Sequence, residues 1–329
     1  MKILAVKPTS EYLNLLNQAV ARELQVSIQY SIQHSKMEKI LQKVIRENIL
    51  KETTTYDVIG KTLKDLSIQE MKHLGAIMER IYYLGGEATT KGSKPIIGET
   101  LRDFAQAGVK AEEEALKMYR KIITMAEELG DWETKQLFEK IYSEEEKHLF
   151  KFQEWADIES DIREPKAPDV DWMKAITPDY LALLNKAVAS ELSAIIQYTN
   201  QHEKVSKLTN RKRSNHLEVV SDKNKASVIS DMLKKVFLQE MEHFEKITER
   251  LYRLDGESVV NPDPLPVIGE TPQDWLIEDR KAEDYAIVLY RKIINEAIRI
   301  GDFPTRALFE KIITEEDEHF FMFDDFFAK

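Results

Sequence analysis

Cysteine is absent from this chain of 329 residues. Disulfide bonds, thiolate zinc sites and cysteine nucleophiles are therefore excluded, and the composition fits a reducing compartment. The sequence also lacks an apolar run of the roughly 18–20 residues that cross a bilayer. Its N-terminal segment, MKILAVKPTSEY, has too short an apolar stretch for a signal peptide. We therefore expect a cytoplasmic protein without a membrane partner.

Glycine and proline are scarce, with 11 and 10 residues, and alternating strand patterns are nearly absent. The long segments between them are rich in Leu, Ile, Glu and Lys at helical spacing, which predicts an all-α fold. Hydrophobic residues make up 43% of the chain, enough for substantial cores. The net charge of −11 argues against a nucleic-acid partner and favours cations.

The second half of the chain repeats the first. LNQAVARELQVSIQY (16–30) recurs as LNKAVASELSAIIQY (184–198), and LFEKIYSEEEKH (137–148) recurs as LFEKIITEEDEH (308–319). Because similar pairs extend along both halves, the whole fold is predicted to be duplicated. We place the first repeat at 1–162, a proline-containing linker at 163–176 and the second repeat at 177–329.

Each repeat is predicted to contain four helices, which makes two tandem four-helix bundles. Thr271-Pro272 is typical of an N-cap followed by proline at the first helical position, and Gly130-Asp131 of one helix end followed by the cap of the next. The predicted helices are 9–47, 54–84, 99–129 and 132–160, then 178–206, 224–254, 272–300 and 303–327.

Charged side chains interrupt the apolar seams of all the predicted helices. In the second helix, Glu70 and His73 stand where the 3-4 spacing calls for core residues. The candidate ligands are Glu23, Glu70, His73, Glu112, Glu145 and His148 in the first repeat, and Glu191, Glu240, His243, Glu283, Glu316 and His319 in the second.

Four carboxylates at one level of a bundle would repel each other, and burying each of them alone costs several kcal/mol. No lysine or arginine cluster shares these seams, whereas two divalent cations would balance the charge. Oxygen-rich sites with one imidazole per metal suit iron or manganese. A single Glu-x-x-His is common on surface helices, but its appearance twice in each of two repeats argues against a chance pattern.

These residues and spacings resemble the bacterioferritins, within the ferritin-like di-iron superfamily. LNQAVARELQVSIQY is similar to that family's first helix, QEMKHLGAIMERIYYLGG to its second, and IIGET to the segment that leads into its third. The resemblance implies a ferroxidase that oxidises Fe(II) with O2 or H2O2. It also implies that Glu70 and Glu145 bridge two irons, with Glu23 and His73 on one iron and Glu112 and His148 on the other. In the second repeat the bridges would be Glu240 and Glu316, with Glu191 and His243 on one iron and Glu283 and His319 on the other.

Two further residue pairs carry hypotheses. Tyr30 and Tyr198 lie on the same helix face as the first-helix glutamates, where each could hydrogen-bond a ligand, supply an electron, or be an ordinary half-buried tyrosine. Met71 and Met241 stand where the resemblance places a methionine that ligates haem b across a two-fold interface. The tandem chain would then mimic a dimer; the alternative is methionine packing at an interface. We also expect a homo-oligomer or a pseudo-dimer within one chain.

Other functions stay open at this point. One is a rubrerythrin-like peroxide reductase, although that family usually attaches a cysteine-ligated iron module and this chain has no cysteine. Another is a non-catalytic iron- or haem-binding carrier. His34 and His202 lie off the ligand pattern and are predicted to be surface residues near helix ends. The basic run at Lys207, Arg211, Lys212 and Arg213 is predicted to be a solvated loop, with docking of an acidic partner as the alternative.

Overall fold

Helices account for nearly all of the described structure, as the sequence predicts. The computed structural model describes residues 8–46, 50–158, 175–211 and 220–325, and within these ranges there are eight α-helices and no β-strand. The helices are α1 (Ser10–Arg46), α2 (Leu50–Tyr83), α3 (Leu101–Glu128), α4 (Trp132–Ala156), α5 (Pro178–Arg211), α6 (Val220–Arg253), α7 (Pro272–Ile300) and α8 (Phe303–Asp324). No helix in the described ranges is long and apolar enough to cross a membrane.

The chain divides into two compact units, Met1–Pro165 and Lys166–Lys329. In the first unit α1 packs along α2 and α3 along α4, and α1 also contacts α3. The second unit repeats this arrangement with α5 to α8. The all-α prediction is confirmed. The repeat limits at 162 and 177 stay predictions, and most of the predicted linker (163–174) lies outside the described residues.

The helix ends follow local sequence signals at most positions. Thr271 caps α7 in a capping box with Asp274, and proline occupies the first turn, as predicted. Thr100 and Asp103 form the equivalent box at α3. Asp131 caps α4 by accepting from the amide of Thr134. These caps satisfy amide groups that would otherwise lack partners at the start of the helices.

The second helix of each unit begins earlier than the sequence suggests, and the first helix of the second unit ends later. α2 begins at Leu50 and α6 at Val220, both four residues earlier than predicted. α5 continues to Arg211, so the predicted loop position of Lys207 and Arg211 is wrong, and both lie in a helix. Lys212 and Arg213 lie outside the described residues. Neither first-to-second helix segment contains the glycine or proline that would stop a helix before these points.

A buried polar cluster at one end of each unit fixes the start of the fourth helix. Tyr12 donates its hydroxyl hydrogen to Asp131 Oδ2 at 3.0 Å, and Arg80 donates to the same carboxylate and to Thr134 Oγ1. Tyr180 and Arg250 hold Asp302 in the same way in the second unit. Because α4 is anchored at its first residue to both α1 and α2, its glutamate and histidine are placed at a fixed level of the bundle.

The long segment between α2 and α3 is attached along α1 by side-chain amides. The amide of Ile96 donates to Gln29 Oε1 at 2.9 Å, and Gln33 donates to the carbonyl of Ile97 at 3.0 Å. In the second unit the amide of Val267 donates to Gln197 Oε1 at 2.9 Å. This attachment sets where the third helix begins and therefore where its glutamate enters the core.

Candidate di-metal centre

Six buried side chains converge in the middle of the first unit. Glu23 comes from α1, Glu70 and His73 from α2, Glu112 from α3, and Glu145 and His148 from α4, and none is more than 4% exposed. They fall into two groups whose candidate ligand atoms lie within 4.8 Å of one another. One group contains Glu23 and His73, the other contains Glu112 and His148, and Glu70 and Glu145 belong to both. The structure thus brings together all six residues selected from the seams.

The two shared glutamates each extend one oxygen toward each histidine. His73 Nδ1 lies 3.0 Å from Glu70 Oε2 and 3.0 Å from Glu145 Oε1. His148 Nδ1 lies 2.9 Å from Glu70 Oε1 and 3.0 Å from Glu145 Oε2. The two imidazole rings are stacked with their centroids 6.2 Å apart. Glu70 and Glu145 therefore have the geometry of bridging carboxylates between two positions.

The second unit reproduces this geometry closely. His243 Nδ1 lies 3.0 Å from Glu240 Oε2 and 3.1 Å from Glu316 Oε1. His319 Nδ1 lies 2.9 Å from Glu240 Oε1 and 3.1 Å from Glu316 Oε2. Glu191 and Glu283 complete the two groups, and all these side chains are buried. The same atoms are thus arranged in the same way in two separate folding units.

These distances suit a pair of cations better than hydrogen bonds alone. One Nδ1 hydrogen cannot point well at two carboxylates, yet each histidine has two at about equal distance. Ligand atoms about 2.1 Å from one metal and at right angles to each other lie about 3.0 Å apart. In addition, Glu23 Oε2 is buried without a hydrogen-bond partner. The donor set therefore fits two divalent cations per unit.

Tyrosines hold the two glutamates that belong to only one group. Tyr30 donates its hydroxyl hydrogen to Glu112, and Tyr119 donates to Glu23. In the second unit Tyr198 donates to Glu283 Oε1 at 2.5 Å, and Tyr290 donates to Glu191. Tyr119 and Tyr290 lie at apolar-seam positions of the third helix of each repeat. Their role was missed because a tyrosine at a seam position is indistinguishable in sequence from ordinary core packing.

When no cation is bound, protons on the ligand side chains balance the negative charge of the site, as the shifts of their pKa values indicate. Burial, together with the charges of Glu145 and Glu70, raises the pKa of Glu23 well above its usual value. Burial alone would lower the pKa of His73, but hydrogen bonds with Glu145 and Glu70 raise it to about 12. The pKa of His148 rises to about 10 for the same reasons. Burial would raise the pKa of Glu70, but hydrogen bonds from His148 and His73 hold it below its usual range.

Comparison with known proteins identifies the family. The domain described as "Ferritin: Ferritin-like domain" matches residues 13–160 and 216–329. This chain belongs to the ferritin-like family. The bacterioferritin of Desulfovibrio desulfuricans is 32% identical over 139 residues, covering 42% of this chain and 69% of the relative. The bacterioferritin of Rhodobacter capsulatus is 31% identical over 140 residues, covering 42% and 76%.

Solved structures of bacterioferritins are also similar to this ferritin-like chain. One is the Desulfovibrio desulfuricans bacterioferritin, described as showing the diiron site in different catalytic states. It is 27% identical, covers 48% of this chain and 82% of its own, and has a TM-score of 0.40. The family match and the two related sequences confirm the resemblance to bacterioferritins that was predicted from the sequence.

Outside the six ligand candidates, a further carboxylate supports one histidine in each ferritin-like unit. His73 Nε2 lies 2.7 Å from Glu144 Oε2, and His243 Nε2 lies 2.9 Å from Glu315 Oε2. An outer carboxylate of this kind fixes the orientation of the ring and leaves Nδ1 directed inward. Glu144 and Glu315 directly precede Glu145 and Glu316, and sequence reasoning missed them because both are partly exposed residues in a run of glutamates.

Substituting these outer carboxylates tests their supporting role. Glu144→Gln and Glu315→Gln together should weaken binding of Co(II), used as a probe, by about 10–100-fold at the histidine each one supports. Glu146→Gln with Glu318→Gln is the matched control, because these residues flank the same ligands on the helix. Equal affinity in both pairs of variants would contradict the role assigned to Glu144 and Glu315.

The two ferritin-like units differ beside their centres. In the first, buried Arg22 lies next to Glu112, with Nη2 3.3 Å from Oε2. The equivalent residue in the second unit is Ser190. Gly108 packs so closely on Phe152 that a Cβ would lie 2.3 Å from its ring, whereas the second unit has Asp279 at this position. Burial raises the pKa of Asp279 to about 8, and Gln197 donates to it at 2.7 Å.

Sequence reasoning missed Arg22 and Asp279 for different reasons. Arg22 adjoins Glu23 and therefore lies beside the seam instead of in its 3-4 spacing. Asp279 precedes Glu283 by one turn in α7, where many charged residues surround it in sequence. The comparison of the two repeats position by position is the signal that could have found both.

The remaining residues singled out from the sequence have other environments. His34 is 5% exposed, and its Nδ1 lies 2.8 Å from the carbonyl oxygen of Gly60, so its predicted surface position is wrong. His202 is partly buried, with Nδ1 2.9 Å from the carbonyl oxygen of Ser230, and its surface prediction is wrong as well. Both lie well inside helices that contact the following helix. Met71 is buried and Met241 is partly buried.

Proposed function

We propose that each repeat binds two Fe(II) ions and oxidises them with O2 or H2O2, for iron handling and removal of the oxidant. The observation that carries this proposal is the arrangement of the bridging carboxylates, each with one oxygen near each histidine Nδ1 in both repeats. The ferritin-like match in both halves of the chain and the similarity to bacterioferritins support it.

The donor set favours iron over the common alternatives. Each position offers one imidazole nitrogen and several carboxylate oxygens, with no thiolate. Closed structural zinc sites usually rely on cysteine and histidine, and magnesium and calcium sites rely on oxygen alone. Fe(II) and Mn(II) accept a mixed set of this kind. Four carboxylates per repeat also balance the charge of two divalent cations.

The chemistry supplied by the substrate metal pair is the transfer of two electrons to the oxidant. With O2 the balance is 2 Fe(II) + O2 + 2 H⁺ → 2 Fe(III) + H2O2, and with peroxide it is 2 Fe(II) + H2O2 + 2 H⁺ → 2 Fe(III) + 2 H2O. Glu70 and Glu145 would hold both irons, and a two-metal reaction needs the two ions to be kept close together. Tyr30 and Tyr198 orient Glu112 and Glu283 through their hydroxyl groups. Among the three roles considered for Tyr30 and Tyr198, this contact favours the hydrogen bond to a ligand.

An aerobic Fe(II) titration tests the proposal. Oxidation followed by absorbance in the near ultraviolet should show a rapid phase that ends near about four Fe(II) per chain, two for each centre. Continued oxidation beyond this point would indicate turnover. Oxidation no faster than the buffer blank would contradict the ferroxidase proposal, and binding of Fe(II) without oxidation would point to a carrier instead.

Haem b remains a prediction for the methionine pair. If Met71 and Met241 supply the axial ligands, haem reconstitution gives a Soret band that shifts when both are replaced by leucine. The same band in the wild-type chain and in the double variant would contradict this prediction. The cytoplasmic location and the homo-oligomeric or pseudo-dimeric assembly likewise stay predictions.

A further inference from the structure

The two candidate centres carry the same ligands but have different neighbours at one position. The residue directly before the first-helix glutamate is Arg22 in the first repeat and Ser190 in the second. Both side chains are largely buried, at 4% and 8% exposure. The substitution therefore changes the charge inside the core of one unit, next to its metal ligands.

Arg22 uses one of the ligand atoms of the first centre. Its Nη2 lies 3.3 Å from Glu112 Oε2, while the other oxygen of Glu112 accepts from Tyr30. Both carboxylate oxygens of Glu112 are thus occupied by protein donors. Because a guanidinium does not lose its proton in a protein, this positive charge persists when a cation arrives.

The guanidinium is poorly satisfied where it lies. Nε and Nη1 of Arg22 are buried without a hydrogen-bond partner. A buried arginine in this state is stabilised mainly by the surrounding carboxylates, and cations that neutralise those carboxylates would remove that stabilisation. Arg22 and the cation beside Glu112 therefore compete for the same negative charge.

The second centre is open where the first holds its arginine. A cavity of about 20 Å³ borders Ser190 and all four carboxylates, Glu191, Glu240, Glu283 and Glu316. This volume is comparable to that of one water molecule. Ser190 brings a hydroxyl group and no charge to its wall, and Glu283 accepts from Tyr198 but has no arginine partner that corresponds to Arg22.

We propose that the two repeats bind divalent cations unequally: the second repeat fills both positions tightly, and Arg22 weakens the Glu112–His148 position of the first. This inference rests on the proposed di-metal centres and adds an affinity difference between them. The position formed by Glu23 and His73 is expected to stay tight, because Arg22 makes its ion pair with Glu112 and not with Glu23.

The test is an anaerobic titration of the full chain with Co(II), whose visible absorption reports binding without any oxidation. The wild-type chain should bind about three Co(II) tightly and about one Co(II) some 10–100-fold more weakly, since a nearby positive charge opposes the cation. Arg22→Ser should bring the weak site to the affinity of the others. Ser190→Arg should create a second weak site.

A variant in which the second centre is disabled shows which repeat contains the weak Co(II) site. In Glu240→Ala, the first centre alone should show one tight and one weak site, and adding Arg22→Ser should make both tight. Arg22→Met, which keeps a long side chain without the charge, should act as Arg22→Ser does and covers the case in which the serine variant folds poorly. Arg46→Ser is the control, as an exposed arginine on the same helix.

The outcomes separate this inference from the proposed function. About four equally tight sites in both the wild-type chain and Arg22→Ser would support the metal centres but overturn the proposed difference in affinity between the repeats. A weak site that persists in both Arg22→Ser and Arg22→Met would overturn it as well. Absence of tight Co(II) binding in the wild-type chain and in every variant would instead refute the metal centres themselves.

Discussion

Replacing both Glu70 and Glu240 by alanine is expected to reduce Fe(II) oxidation to the rate of the buffer blank, a loss of more than about 100-fold. In each of these glutamates, one oxygen lies 3.0 Å from Nδ1 of one histidine of the repeat, and the other oxygen lies 2.9 Å from Nδ1 of the second histidine. Alanine therefore removes a ligand from two positions at once. Oxygen consumption and absorbance in stopped-flow mixing measure the effect.

The single variants show whether both repeats contribute. Glu70→Ala should keep the oxidation that belongs to the second repeat, and Glu240→Ala that of the first, so each should end its rapid phase at about half the wild-type amount of iron. Two additive losses would indicate independent centres. One silent variant would show that its repeat does not oxidise iron.

A matched control exists at neighbouring positions. Lys72→Ala with Glu242→Ala changes equivalent residues two positions further along the same helices, and both side chains are exposed. This variant should oxidise Fe(II) at the wild-type rate. Circular dichroism establishes that all variants keep their helix content. A rate in Glu70→Ala/Glu240→Ala equal to that of the control would remove these glutamates from the reaction.

The helices were predictable because their signals are local. Apolar seams, threonine and aspartate caps and glycine stops lie next to the residues they affect, as at Thr271 and Gly301. The first-to-second helix segments were harder. Around Lys207 the sequence is polar and its helical periodicity weakens, so a loop was predicted there. Helix continues there because nothing breaks it and because packing along the next helix stabilises it.

The ligand candidates were predictable because burying a carboxylate in an apolar seam is unfavourable unless its charge is neutralised. The residues that support the ligands are of types that are ordinary at their positions, so nothing in the sequence marks them. Tyr119 is an acceptable core residue wherever it lies, and Glu144 is an acceptable surface residue. Their significance depends on which atom each one touches across the bundle, at Glu23 and His73. The spacing of residues along one helix gives no information about these distances between helices.

Cation binding should release about two protons per divalent cation, and its affinity should rise about 100-fold per pH unit. The reason is the charge balance of the centre. Without cations, His73 and His148 hold protons because their pKa values are raised to about 12 and about 10, and the raised pKa values of Glu23 and Glu112 keep protons on these carboxyl groups. Ligands must lose these protons to bind metal.

The sign follows from the direction of these shifts. In the folded, cation-free protein the pKa values of His73 and His148 are raised to about 12 and about 10, so both imidazoles stay protonated at pH 6 to 8, and the raised pKa values of Glu23 and Glu112 act in the same direction. Over this whole window every bound cation displaces these protons, and higher pH favours the metal-bound state. Calorimetry of Co(II) binding in buffers with different ionisation enthalpies counts the protons. The Glu70→Ala/Glu240→Ala chain should release far fewer, since it lacks the tight sites. A wild-type release below about half a proton per cation would mean that the centre is neutralised by something other than its own protons, and Arg22 alone could supply only one charge, in only one repeat.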